Sequence, residues 1–237
     1  MKQIAFVILG CLFLVSFSSA QNLGGPAPDP CAALAKFLNH DVAFAATAKV
    51  VSTGKKKSDN INVTMLFAVS GGNLRNEIDL TKMSGMRASD LDGMKQMGMD
   101  KMVILKLGDK QAAYIVYPNL QSYCDMPAGK KGFADGKVDK TELGSDTVEK
   151  HPCTKSKLTF TAKDGQTSEA LVWEATDLKN FPIQYQTVDE GQTTTTTFTD
   201  IKLGQPAPSV FELPASYKKY GSMQEMLMGN MQRMMQQ

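Results

Sequence analysis

Between Ser168 and Pro214 three extended runs follow one another: SEALVWE (168–174), FPIQYQTV (181–188) and TTTTTFTDI (193–201), with VFELP (210–214) closing the series. β-branched and aromatic residues dominate the runs, and Asp177–Asn180 and Asp189–Gly191 separate them, which predicts consecutive antiparallel strands. In the first run Leu171 and Trp173 fall on one side and Ala170, Val172 and Glu174 on the other. In the second, Phe181, Ile183 and Tyr185 oppose Pro182, Gln184 and Gln186. That alternation belongs to a sheet with one dry and one wet face.

The same pattern extends upstream. Strands are expected at 41–52, 61–69, 74–80, 103–107, 112–117, 121–125, 138–143 and 155–162. The cleanest is Ile61–Val69, where Ile61, Val63, Met65, Phe67 and Val69 share one side. The fold class is therefore mainly β (α+β): about eleven strands, a number that suits a strongly curved antiparallel sheet or incomplete barrel. Residues 83–102 interrupt it with a helix of roughly three turns, capped by Ser89, with Asp90 and Asp92 in its first turn. A short amphipathic helix is expected over Cys31–Leu38, and the tail from Ser216 reads as a Met-rich helix. The resulting organisation is a signal peptide 1–20, a Gly/Pro linker 21–29, one domain 30–215 and a C-terminal helix 216–237.

The signal peptide rests on Lys2, the apolar run Ile4–Phe17 and the small residues Ser18, Ser19 and Ala20, with cleavage expected near Ala20. Gly10-Cys11 hints at a lipoprotein site, but the apolar run continues past it. No later stretch approaches the ~18 apolar residues of a membrane span, so the expected address is periplasmic or secreted. After cleavage 25 basic residues face 24 acidic ones, with arginine only at 75, 87 and 233. That balance gives no footprint for nucleic acid and no polybasic membrane anchor. Cys31, Cys124 and Cys153 remain; Cys124 and Cys153 both sit in strand-like contexts, which predicts a disulfide between them and leaves Cys31 over. Closing that loop of about 30 residues would contribute ~3–4 kcal/mol. Three unpaired thiols are the alternative.

Nothing in the chain reads as an enzyme or asks for a cofactor. His40 and His151 sit in no metal or nucleophile motif, and neither G-x-S-x-G nor a phosphate-binding loop occurs. Asn62-Val63-Thr64 matches a glycosylation acceptor, but in mid-strand; Lys55–Lys57 belong to a solvated turn. Methionine is the unusual feature. Met94, Met97, Met99, Met102 and Met223, Met226, Met228, Met231 share the spacing M-x-x-M-x-M-x-x-M. Three readings stand: core packing, an adaptable lid over an apolar site, or thioether ligands for Cu(I) in a metal-stress protein. Gly93 and Gly98 each cost the first helix about 1 kcal/mol, which favours a mobile element. Arg75 is the one arginine placed within a strand, either facing water or orienting a polar headgroup.

Val172-Trp173, Phe181-Pro182-Ile183 and the Phe211–Pro214 ending resemble the LolA/LolB-like superfamily of lipoprotein carriers and localisation factors. Tyr123-Cys124-Asp125-Met126-Pro127 and His151-Pro152-Cys153 resemble an uncharacterised domain-of-unknown-function branch of secreted bacterial proteins within it. The resemblance implies a half-barrel with helices over its concave face and an apolar cavity for lipid or lipoprotein acyl chains. It makes residues 85–102 and the N-terminal helix lid candidates, places Met94, Met97, Met99, Met102, Phe67 and Trp173 at the cavity, and matches Arg75 to a cavity arginine. An envelope protein is the implied partner. A structural envelope protein without a ligand is the remaining alternative.

Overall fold

The computed structural model describes residues 42–54, 60–126, 137–161, 165, 167–189 and 191–234. The signal peptide, linker, N-terminal helix, Cys31, His40, Lys55–Lys57 and the loop expected at 127–136 lie outside them. Twelve strands form: β1 (Phe44–Thr53), β2 (Ile61–Ser70), β3 (Asn73–Asp79), β4 (Lys101–Leu107), β5 (Ala112–Tyr117), β6 (Ser122–Asp125), β7 (Lys137–Val148), β8 (His151–Thr161), β9 (Thr167–Ala175), β10 (Phe181–Asp189), β11 (Gln192–Leu203) and β12 (Lys218–Tyr220). Helix α1 (Ala88–Gln96) joins β3 to β4, and α2 (Met223–Met234) follows β12. The strands form one open, mostly antiparallel sheet in the order β12-β6-β5-β4-β3-β2-β1-β11-β10-β9-β8-β7. The β6–β12 pair is parallel.

All eleven expected strands are present, and the sequence reading missed β12. Its residues fall inside the predicted tail helix, which instead begins at Met223 behind a reciprocal cap. There the Glu225 N–H donates to Ser222 Oγ (3.2 Å), and the Gly221 N–H donates to the Glu225 carboxylate (3.0 Å). In α1 the N-cap is Arg87, not Ser89, and it makes no side-chain cap bond; Arg87 Nε instead bonds the Asp90 carboxylate at 2.7 Å. His151 opens β8.

The described residues divide into two compact units. One draws on 48–62 and 129–199 and holds β7–β10 with most of β11 and β1. Its longest pairing is the β7–β8 hairpin, closed by Glu149-Lys150 with both φ angles positive (48° and 71°). β7 carries a bulge between Glu142 and Gly144 and is exposed along nearly its whole length. Charges and a bulge on an outermost strand discourage another strand from adding to it. On β10 and β11 the Gln and Thr side chains pair across the strands: Gln186 Nε2 donates to Thr195 Oγ1 (3.0 Å) and Thr197 Oγ1 to Gln184 Oε1 (2.9 Å). Ser52 and Thr194, both buried, pair at 3.0 Å.

The other unit draws on 41–47, 63–128 and 200–237 and holds β3–β6, β12, both helices and most of β2. One sheet face carries Ala68, Leu105, Leu107 and Phe211 packed with Tyr114, Val210 and Leu213. The 3-10 turn Pro208–Phe211 thus clasps this side, which gives the Phe211–Pro214 ending a packing role. The opposite face of the same strands holds the candidate site.

Candidate functional site

The register of five strand pairs sets one row of side chains across that face: Phe67, Asn76, Ile104, Ile115, Cys124 and Tyr220. One pleat away, Met65, Ile78 and Met102 form a second row. All of these are buried apart from Phe67, which is half-buried. Met83, Met94 and Met99, from the connection between β3 and β4, are buried as well, and so is Met226 of α2. Helix α2 seats against β6 and β12, where a Cβ on Gly229 would lie 2.7 Å from the Tyr220 ring. Arg233 Nη2 donates to Ser122 Oγ (3.2 Å) and also contacts Asn230, while Asn230 Nδ2 donates to the Met226 carbonyl (2.8 Å).

The face is electrically quiet. Burial, with a smaller push from Cys124, holds the Tyr117 phenol well above its ordinary range. Burial and the nearby Asp125 carboxylate raise the Cys124 thiol. Both are neutral at physiological pH. Towards α2 the buried polar groups are Ser122 and Asn230, both bonded, and the Tyr220 hydroxyl, which has no partner among the described residues; away from them in the row stands Asn76, 1% exposed. Its Nδ2 donates to Met65 Sδ at 3.4 Å, and its Oδ1 accepts no hydrogen bond from the described residues.

Several solved structures are similar to the chain at low identity. The chain resembles a LolA superfamily protein from Nitrosomonas europaea (10% identity, TM-score 0.39, covering 73% of this chain and 91% of that one). It is also similar to the Mycobacterium tuberculosis lipoprotein LppX (12%, TM-score 0.40, 79% and 100%) and to LprF from Mycobacterium bovis (13%, TM-score 0.39, 82% and 100%). No protein-family model and no curated protein matches it.

The sequence-predicted residues separate. Met94, Met99 and Met102 are buried, but Met97 is 44% exposed. Phe67 lies in the Asn76 row. Arg75 is on the clasped face, opposite Ala68 and Leu105, where Nε bonds Glu77 at 2.6 Å and Nη1 donates to the Val210 carbonyl at 3.3 Å. Those contacts occupy the guanidinium and tie the 3-10 turn to β3. Trp173 belongs to the other unit, where its indole N–H donates to Asp146 (2.8 Å) and the Lys155 ammonium sits 4.8 Å from the ring centroid. Its surroundings make it a clamp on the β7–β8–β9 pairing.

The predicted disulfide does not form: Cys124 and Cys153 are free, buried thiols. Eight strands separate β6 from β8 in the hydrogen-bonded order. Cys124 fills a place in the apolar row, and Cys153 donates weakly to the His151 carbonyl (3.3 Å). Both behave as small apolar residues. The second methionine group is also dispersed: Met226 is buried, Met223 half-buried, and Met228 and Met231 are more than half exposed. Among the described residues no cluster of three His, Cys, Asp or Glu side chains could hold a metal. None of their helices is long and apolar enough to cross a membrane.

Sequence reading passed over Asn76, Met65 and Met83. Asn76 carried a signal, because it occupies the apolar phase of Leu74-Asn76-Ile78-Leu80. A polar residue in that phase marks either an error of register or a site.

Proposed function

We propose that this chain is a non-enzymatic, extracytoplasmic binding protein whose methionine-walled face takes up the acyl chain of a lipid or lipoprotein. The supporting observation is that face itself: Met65, Met83, Met94, Met99 and Met102 are all buried in one unit alongside an uncharged row of strand side chains. Methionine has three soft torsions and a polarisable sulfur, so it yields to a flexible guest and repacks around it. Residues 85–102 act as the movable cover. Export follows from the Lys2, Ile4–Phe17 and Ala20 pattern, and an envelope protein would supply or receive the chain.

The energetics suffice without a polar contact. Burying a fourteen-carbon chain at ~0.8 kcal/mol per methylene gives on the order of 10 kcal/mol gross. Immobilisation removes several of those, leaving micromolar affinity. Titrating the purified exported protein with a fluorescent fatty acid tests the idea. Saturable signal displaced by unlabelled lipopeptide is the expected result, and no displaceable binding at tens of micromolar refutes it.

A further inference from the structure

We infer that Asn76 reads the ligand: the bound molecule is an apolar chain carrying a neutral hydrogen-bond donor, a hydroxyl or amide N–H, which Asn76 Oδ1 accepts. The inference rests on the acyl-chain reading above and sharpens it. Asn76 lies on a central strand of its unit, flanked across the register by Phe67 and Ile104 and along the strand by Leu74 and Ile78. Among the described residues a thioether alone meets its amide N–H, at 3.4 Å, and its oxygen has no partner although the residue is 1% exposed. An orphaned buried acceptor costs about 1–3 kcal/mol, whereas an apolar residue there would cost nothing of the kind.

The chemistry of the missing partner is constrained. It must donate, since Oδ1 can only accept. It must be neutral, because no charged side chain occupies the row of Phe67, Asn76, Ile104, Ile115, Cys124 and Tyr220 to balance an ammonium. A carboxylate has no proton to give and would face the oxygen's partial negative charge. The donor must also sit on an otherwise apolar molecule, since the side chains next to Asn76 on this face, Phe67, Ile104, Leu74, Ile78 and Met65, are hydrocarbon and sulfur. Met65 and Met102, one pleat away, are the side chains that must shift to admit it.

The test displaces N-phenyl-1-naphthylamine from the purified exported protein with N-methyldodecanamide and with N,N-dimethyldodecanamide. The pair differs by one N–H donor, and the extra methyl makes the second compound the more hydrophobic. One neutral hydrogen bond should favour the N-methyl compound by about three- to tenfold against that trend. In Asn76→Leu the preference between the two amides should vanish. Asn76→Met serves as the second variant, with a thermal melt confirming that each is folded. Equal affinities in the wild type, or a preference that survives both substitutions, overturn the inference and leave acyl-chain binding intact. Failure of the dye and both amides to bind overturns the acyl-chain reading and this inference together.

Discussion

Replacing Asn76 by leucine should make the protein more stable, although a polar-to-apolar exchange removes a hydrogen bond. Three effects decide the sign. Removing the unpartnered oxygen recovers about 1–3 kcal/mol of desolvation cost. Losing the 3.4 Å amide–thioether bond gives back no more than ~0.5–1 kcal/mol, because sulfur is a weak acceptor. Leucine keeps the branched four-atom outline of asparagine but is distinctly larger, so it leaves no void and part of the recovered energy goes into repacking between Phe67 and Ile104. With repacking held to the low end of the usual cost, the balance is a gain of up to about 1 kcal/mol, which for a chain of this size raises the melting temperature by up to about 4 °C. Far-UV circular dichroism on heating is the assay, because it follows the strands rather than one chromophore. Asn76→Ala should fall ~1–2 kcal/mol below the leucine variant, since it leaves a cavity. A leucine variant that melts lower than the wild type would show that Oδ1 is satisfied in the folded protein. The reasoning, and the ligand reading built on it, would then fail.

Asp146→Ala should leave the indole N–H of buried Trp173 without its acceptor, and a changed emission from the only tryptophan reports it. The hydrogen bonds from Trp173 and from the Thr147 backbone hold the Asp146 carboxyl below its ordinary value. Its contribution is therefore complete above the unfolded value, ~3.9, and is lost as pH falls through the lower folded value; acid titration of Trp173 emission should show that step in the wild type only. Gly229→Ala sets a helix-propensity gain of about 1 kcal/mol against overpacking of ~1–3 kcal/mol on the Tyr220 ring, 2.7 Å away. A net loss with faster thiol labelling of Cys124 beneath α2 is expected, and unchanged labelling would show that α2 does not cover it. Glu149→Asn with Lys150→Gly should stabilise the hairpin by about 1 kcal/mol, since both residues hold positive φ without the side chains that tolerate it; an unchanged denaturation midpoint counts against that strain.

The hairpin also shows where the fold was legible and where it was not. β2 and β3 are joined by Gly71-Gly72, whose positive φ angles suit a tight turn, and the sequence announces both strands and the turn. The β7–β8 pair is longer, yet the sequence suggests only its outer halves, 138–143 and 155–162. Gly144 and Pro152 look like breakers, and Glu149-Lys150 carries no turn signal. In the structure Gly144 serves the bulge at φ 124° and Pro152 lies opposite Thr147 within the ladder. Cross-strand pairing overrode the local signals. β12 was hidden for the opposite reason: three residues are too few to show a period of two, and a Met-rich helix follows at once.

The site was legible as composition but not as geometry. Methionine spacing pointed to residues 94–102, and three of the four named there are buried. It could not say that Met65 and Met83 join the same unit's interior, because strand neighbours are set by register, and register is a property of pairs. Arg75 makes the point most sharply. It adjoins Asn76 in the chain, and a charged residue beside an apolar strand attracts attention, yet one step along a strand is one change of face. Arg75 is committed to Glu77 and the Val210 carbonyl on the clasped side, whereas the uncharged Asn76 points the other way with an oxygen unmet. In a strand, then, the polar residue to test first is the one out of phase with its own face. Charge at an in-phase position is what a solvated or ion-paired surface already requires, while an amide in the apolar phase with its oxygen unmet costs stability that a ligand's donor would recover.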